Sequence, residues 1–334
     1  MDKIQLAHGG GGKLTDELID QVILKYLPRP AVLLDSAILE TDGTAIAFTT
    51  DSYVVSPIFF PGGDVGKMAV FGTCNDLAMA GAVPVSLSLA LIIEEGFEIE
   101  KLERIMQSVG LAAKEAEVTI VTGDTKVVAY GQADGIYINT AGIGRVISGA
   151  DIGFNRIEEG DKILLSGTIG DHGLAIMAKR EGLSFSTPIV SDVASVAGLA
   201  NELIRKLGGK VKFLRDPTRA GLAGVLVDIA SNTRREIFIQ ERAIPVKPGV
   251  KAGAEVLGFE VLDVANEGKF VAVVKDDAIE EALEICRKHP LGKAASVIGT
   301  VHQTSSSGRV VMETLIGGKR IVQKPYGEQL PRIC

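Results

Sequence analysis

Between Val83 and Ile93 every second position is apolar, with Val85, Leu87, Leu89 and Leu91 on one side. A period of two predicts a strand with one buried face. Immediately before it, Val65 to Gly81 reads as a helix crowded with small residues: Gly66, Ala69, Gly72, Thr73, Ala78 and Ala80. So little side-chain bulk lets a helix approach a sheet or a ligand closely. Asn75 and Asp76 stand inside this helix although neither is a good helix former. Their apolar neighbours Cys74, Leu77 and Met79 argue against a plain solvent face.

Both signals recur along the chain. Ala45 to Val55 and Gly135 to Val146 read as strands, and Val118 to Val121 as a strand ending in Gly123-Asp124-Thr125-Lys126. Ile99 to Ala116 is an amphipathic helix through Leu102, Ile105, Val109 and Ala113. After a composition break at Ser148 to Gly160, strands are expected at Ile163 to Ser166, Val211 to Leu214, around Phe238 and Val261, and at Phe270 to Val274. Helices are expected at Leu174 to Arg180, Val193 to Leu207 and Ala278 to Lys288. Strands and helices mixed in both halves make the fold α/β or α+β. The expected domains are 36–150 and 151–311, preceded by a glycine-rich segment with a helix over 1–35 and followed by a mobile tail over 312–334.

A chain of 334 residues suits about two domains. Its net charge of −7 argues against nucleic acid or an anionic membrane as a partner. To bind a phosphate compound, an acidic protein has to rely on backbone N–H groups and a metal ion. Three cysteines, Cys74, Cys286 and Cys334, are odd in number and far apart, so no disulfide framework is expected. Met1-Asp2-Lys3 has no signal-peptide character, and the most apolar stretch, Ala78 to Ile93, is too short to span a bilayer. These features point to the reducing cytoplasm.

Residues His8, Gly9, Gly10, Gly11, Gly12 and Lys13 form a glycine loop before a helical pattern at Leu14, Leu18, Val22 and Tyr26. Converging N–H groups at a helix start suit an anion, although the spacing is not that of a Walker A loop. Asp51, Asp76 and Asp124 lie beside small or hydroxyl residues, as expected for oxygen ligands of Mg²⁺. The chain ends on Cys334, approached through Gly317-Gly318, Pro325, Gly327 and Pro331. A flexible hinge followed by stiffened peptide suits a tethered reactive thiol.

TTDS around Asp51, GTCNDLAMAGA around Asp76, GDTK around Asp124 and DPTRAGL around Asp216 resemble the ATP-binding superfamily of aminoimidazole ribonucleotide synthetase and selenophosphate synthetase. With HGGGGK at the start, Asn266-Glu267-Gly268 and PRIC at the end, the chain is similar to the hydrogenase-maturation branch of that superfamily over essentially its whole length. Ala220 departs from the pattern, where a second glycine is expected.

The resemblance implies a two-domain fold whose N-terminal domains pair as a homodimer in one β-barrel. It also implies a reaction: a carbamoyltransferase, HypF, loads Cys334, ATP drives dehydration of the thiocarbamate to thiocyanate, and the cyanide passes to iron on a HypC–HypD complex. In this scheme Asp51, Asp76 and Asp124 hold Mg²⁺. The loop from His8 to Lys13, with Asn75 and Asp216, binds ATP. Glu267 is the base and Lys126 steadies phosphate or amide oxygen, with His172 a further candidate. An ATP-dependent small-molecule kinase or amidine-forming synthetase of the same superfamily is the competing enzyme reading, and a carrier with a docking tail the non-catalytic one.

Overall fold

The computed structural model describes residues 3–27, 33–41, 43–183, 185, 187–304, 308–326, 332 and 333. Cys334 and Pro331 therefore lie outside the described residues. The chain opens with α1 (Lys13–Leu18), which runs on as one wider helical turn over Ile19–Ile23 and buries no residue. The first sheet holds β1 (Ala37–Thr41), β2 (Thr44–Tyr53), β5 (Ala82–Glu94), β6 (Thr119–Val128) and β7 (Ile136–Val146), in the order β1-β2-β7-β5-β6. Only β5 and β6 run parallel. A two-stranded ribbon, β3 (Phe59–Phe60) with β4 (Gly63–Asp64), leads into α2 (Val65–Met79), and α3 (Ile99–Glu115) follows β5.

Small residues let α2 touch neighbours on both sides. A Cβ at Gly66 would lie 2.6 Å from the Ile105 carbonyl oxygen of α3, and one at Gly72 would lie 2.3 Å from the Tyr53 hydroxyl of β2. At the start of α2 the Asp64 carboxylate accepts the Lys67 N–H at 3.0 Å, closing an otherwise unpaired donor. The alternation in β5 holds from Leu87 onward, but a register shift between Pro84 and Ser86 turns Val85 outward, leaving it 45% exposed.

The second sheet has the order β14-β13-β10-β12-β8-β11-β9 and is antiparallel except at β10–β13, so the chain falls on the α+β side of the expectation. Its strands are β8 (Lys162–Leu165), β9 (Val211–Arg215), β10 (Arg235–Gln240), β11 (Val271–Val274), β12 (Ser296–Thr304), β13 (Arg309–Glu313) and β14 (Lys319–Val322). Its helices are α4 (Asp171–Arg180), α5 (Ala197–Leu207), α6 (Gly221–Thr233), α7 (Pro248–Leu257) and α8 (Ile279–Lys288). One face packs on α6, while the other packs on α5 and α8 together with Ala78 and Met79 of α2. The two sheets thus share core through the small-residue helix.

Four expectations need correction. Val261 opens a single 3₁₀ turn, Val261–Asp263, rather than a strand. Residues 193–196 precede α5 as irregular chain. The strand does not end at GDTK, because β6 runs through it to Val128. The tail does not separate from the second domain at 312: β13 and β14 belong to the second sheet, and Gly317-Gly318 makes the hairpin turn between them, with Thr314 N–H donating to the Gly318 carbonyl at 2.7 Å. Gly317 holds φ +82°, which is why glycine stands there. Among the described residues both sheets are open and no barrel closes within one chain. No helix among them is long and apolar enough to cross a membrane.

Candidate active site

A cleft of about 580 Å³ lies between α1, the β2–α2 wall and the loop after β9. Asp35, Asp51, Asp76, Asp216 and Glu267 all line it. Each comes from a different place in the fold. Asp51 sits on β2 on the face towards α2, Asp76 in the last turn of α2, Asp216 directly after β9, and Glu267 in the loop before β11.

Gathering like charges raises their proton affinity. Burial, then Asp216, Asp35 and Asp51, pushes Asp76 well above the usual carboxylate range, against one hydrogen bond from the Thr49 hydroxyl at 3.0 Å. Burial followed by Asp35 does the same to Asp216, and burial followed by Asp216 and Asp51 to Glu267. Asp35 is raised by burial although Arg215 pairs with it at 3.1 Å. Among the described residues no group of three or more His, Cys, Asp or Glu is arranged as a ready metal cage. Yet the Glu267 Oε1 is buried without a hydrogen-bond partner, an arrangement that is costly in a closed wall and useful beside a ligand.

The Asn-Glu-Gly loop has a division of labour. Asn266 bolts it down: its Oδ1 accepts the Gly170 N–H at 2.7 Å, and its Nδ2 donates to the carbonyls of Pro217 and Val264 at 3.0 and 2.9 Å. Gly268 permits contact with the neighbouring chain, since a Cβ there would lie 1.9 Å from the Asp192 carbonyl oxygen. Between them the Glu267 N–H donates to the Asp192 carboxylate at 3.1 Å, so the carboxyl is aimed by its backbone.

Other residues singled out in the sequence are arranged differently from the expectation. Asn75 is a brace: its Nδ2 donates to the carbonyls of Ala194 and Glu267, and its Oδ1 accepts the Val196 N–H, which leaves no donor for a nucleotide. In the glycine loop, Gly11 and Gly12 are required by close approach. Cβ atoms there would each lie 2.4 Å from a neighbour, Arg219 Cβ and the Pro325 carbonyl oxygen respectively. Gly9 has open space beside it, and Gly10 caps the short turn Leu6–Gly9. The Gly11 N–H donates to the Thr15 hydroxyl and the Lys13 N–H to the Pro325 carbonyl, so these two donors are already used. His8 Nδ1 lies 2.9 Å from the Gln5 N–H and 3.2 Å from the Gln5 carbonyl, and its Nε2 is buried without a partner.

Asp124 and Lys126 are not in the cleft. Ladder partners run Asp124–Ala90–Asn139–Ser52, three strand spacings or about 14 Å across the sheet. Residues directly opposite share a face, so Asp124 lies with Ser52 on the side away from α2, whereas Asp51 lies towards it. The pair is exposed, with Lys126 Nζ 2.7 Å from Asp124, whose carboxyl it holds below the usual range. One chain therefore unites Asp51 and Asp76 but separates Asp124 from them.

Two features had no clear sequence signal. Arg215 pairs with Asp35 and, at 2.9 Å, with Asp228, so one cation holds two walls of the cleft. Lys324 reaches Asp16 at 2.8 Å and strings residues 324–326 across the glycine loop. The end of the chain is seated as well. Ile333 is buried in the core with Val193 and Ala265, and its carbonyl lies 3.0 Å from His172 Nε2.

Residues 33–146 match the family described as AIR synthase related protein, N-terminal domain, and residues 158–311 its C-terminal domain. A carbamoyl dehydratase HypE of Rhizobium leguminosarum bv. viciae is 48% identical over 334 residues, covering 99% of this chain and 95% of that protein. A crystal structure of a HypE–HypF complex superposes with a TM-score of 0.87 at 48% identity, over 92% of this chain and 99% of that one. A crystal structure of HypE in complex with ATP does so at 0.84 and 43% identity, over 99% and 100%. On the shared fold and on identity across nearly its whole length, the chain belongs to the carbamoyl dehydratase HypE family of two-domain AIR-synthase-related proteins.

Proposed function

We propose that the chain is an ATP-dependent dehydratase acting on its own C-terminal cysteine in [NiFe] hydrogenase maturation. A HypF carbamoyltransferase loads Cys334, ATP drives loss of water to leave a thiocyanate, and the cyanide passes to iron on HypC–HypD. The observation that carries this reading is the seat of Ile333: its carbonyl meets His172, and the N–H of the next residue, Gly173, donates to the carbonyl of Ala265, two residues before Glu267. A substrate carried on the residue after Ile333 is delivered to the acidic cleft by the chain itself.

The amide oxygen of a thiocarbamate is a poor leaving group. Transfer of the γ-phosphoryl group to that oxygen lets the C–O bond break with phosphate departing. The sum is R–S–C(=O)NH₂ + ATP → R–S–C≡N + ADP + phosphate, with both N–H protons lost. Glu267 is the base in this reading: it is held by its backbone, has one oxygen without a partner, and has raised proton affinity. Mutually repelling carboxyls and that unpartnered oxygen fit a divalent cation; Asp51 and Asp76 would hold Mg²⁺, which neutralises charge on a transferring phosphoryl group. His8 Nε2 and Asp216 stand as nucleotide contacts, with the glycine loop once Pro325 moves off Lys13 N–H.

A homodimer belongs to this reading. The outer face of the first sheet exposes Phe48, Val85, Ile92 and Ile143 at 41, 45, 44 and 43%, an apolar surface that a second copy would cover. Asp124 and Lys126 share that face and would act at the partner's cleft. Intact mass after incubation with the carbamoyltransferase system tests the whole scheme. A carbamoyl group should be gained, and one water lost when Mg–ATP is added; a loaded chain that keeps its water overturns it.

A further inference from the structure

Arg332 is held by five separate contacts. Its guanidinium donates to the Val54 carbonyl at 2.8 Å, pairs with Asp134 and lies 5.8 Å from the Tyr137 ring centroid. Its carbonyl accepts the Ser56 N–H at 3.2 Å and an Arg180 NH₂ at 3.0 Å. Arg180, at the end of α4, also grips the Ser56 carbonyl through Nε at 3.0 Å. Arg332 itself has φ +51°, a left-handed conformation that a non-glycine residue keeps only when its surroundings hold it there.

The next carbonyl, that of Ile333, is met by His172 Nε2. A carbonyl only accepts, so Nε2 carries the proton. Nδ1, 2.8 Å from the Ser191 hydroxyl, then accepts from it, and that hydroxyl oxygen accepts the Val193 N–H at 3.1 Å. The imidazole is thereby a neutral donor of fixed tautomer, and burial keeps it neutral. Two donors on two successive carbonyls read backbone position, not side-chain identity.

We propose that Arg180 and His172 form a carbonyl clamp that sets the register of the residue after Ile333. They are positioning residues for dehydration, and their grip competes with the undocked tail that a modifying enzyme needs. The inference rests on the function proposed above. It requires dehydration to slow while loading does not, which general damage to the fold would not produce.

Arg180→Ala and His172→Leu should be carbamoylated at least as fast as the native chain. Single-turnover loss of water at saturating Mg–ATP should slow about tenfold or more, with the ATP concentration for half-maximal rate unchanged. Arg180→Lys and His172→Gln, which keep a donor, should recover most of the rate. Capture of the thiol by a maleimide in the unloaded protein gives a second readout, because Cys74 and Cys286 are buried and only Cys334 should label quickly. Capture should accelerate by a similar factor in the two variants that lose the donor. Should Arg180→Ala fail to fold, Asp134→Asn, at an exposed position, loosens Arg332 from the other side and should shift both readouts the same way.

Native dehydration in Arg180→Ala, equal slowing of loading and dehydration, or unchanged thiol capture each overturns the clamp. If the loaded native chain itself keeps its water, the dehydratase reading falls, while the capture rates still decide the clamp.

Discussion

Asp76 lies within 3.0 Å of the Thr49 hydroxyl, with Asp216, Asp35 and Asp51 around it, so exchanging its charge for an amide has two effects of opposite sign. Asp76→Asn keeps the size and the contact with Thr49 while removing one of several repelling carboxyls. The variant should therefore be more stable in the absence of nucleotide, by about 1 kcal/mol, and bind Mg–ATP about tenfold or more weakly. A thermal melt and a calorimetric titration read the two effects separately; equal Mg-dependent affinity would remove Asp76 from the cation site. Glu267→Gln isolates the proton-transfer step. Its loop is fixed by Asn266 and Gly268 rather than by the carboxyl, so loading and ATP binding should survive. Water loss should fall by about 10²-fold or more. A native rate would move the base elsewhere, with Lys126 of a second copy the next candidate.

At the scale of elements, the 3₁₀ turn Val261–Asp263 makes its own contribution to stability. Burial, then Glu260, lifts Asp263 from 3.8 to about 6. A carboxyl with raised folded pKa stabilises the fold below its unfolded value, and that stability is lost as pH rises through about 6. Asp263→Asn should thus gain stability that grows between about pH 5 and pH 8. The gain should be limited to about 1 kcal/mol because the group is partly open to solvent. Urea midpoints at the two pH values check the sign.

The same turn marks where sequence patterns stop short. Val261 sits among Phe259, Leu262 and Val264, apolar residues broken by Glu260 and Asp263, a pattern that a strand would also give, whereas beneath α6 it forms a turn. By contrast, the small residues of α2 were legible because close packing needs them at fixed positions. Ala220 was legible as a departure, and it holds φ +60°, the region that favours the glycine expected there. Gly317-Gly318 read as a hinge because composition gives freedom of rotation but not the strand partner that removes it. Asp35 had no signal at all. Its meaning depends on Arg215, a neighbour through space alone.

For the whole molecule, the sharpest question is why one chain keeps Asp124 and Lys126 on the opposite sheet face from Asp51. If the apolar outer face is covered by a second copy, each cleft draws Glu267 and the tail seat from one chain and Asp124 from the other. Neither Asp124→Ala nor Glu267→Gln alone should dehydrate as a homodimer. A mixed dimer holds one cleft with both groups intact, in the Asp124→Ala chain, and one cleft with neither. Equal mixing makes half of the dimers mixed, with half of their sites competent, so about a quarter of native activity should return. The two chains differ in mass, and the tail seats in its own chain through Arg180 and His172. Intact mass should therefore find water lost from loaded Asp124→Ala chains and from no Glu267→Gln chain. Recovery on the other chain would mean that tails cross between subunits. No recovery at all, in dimers verified as mixed, would return Asp124 to a role outside the cleft and leave the outer face without its proposed catalytic purpose.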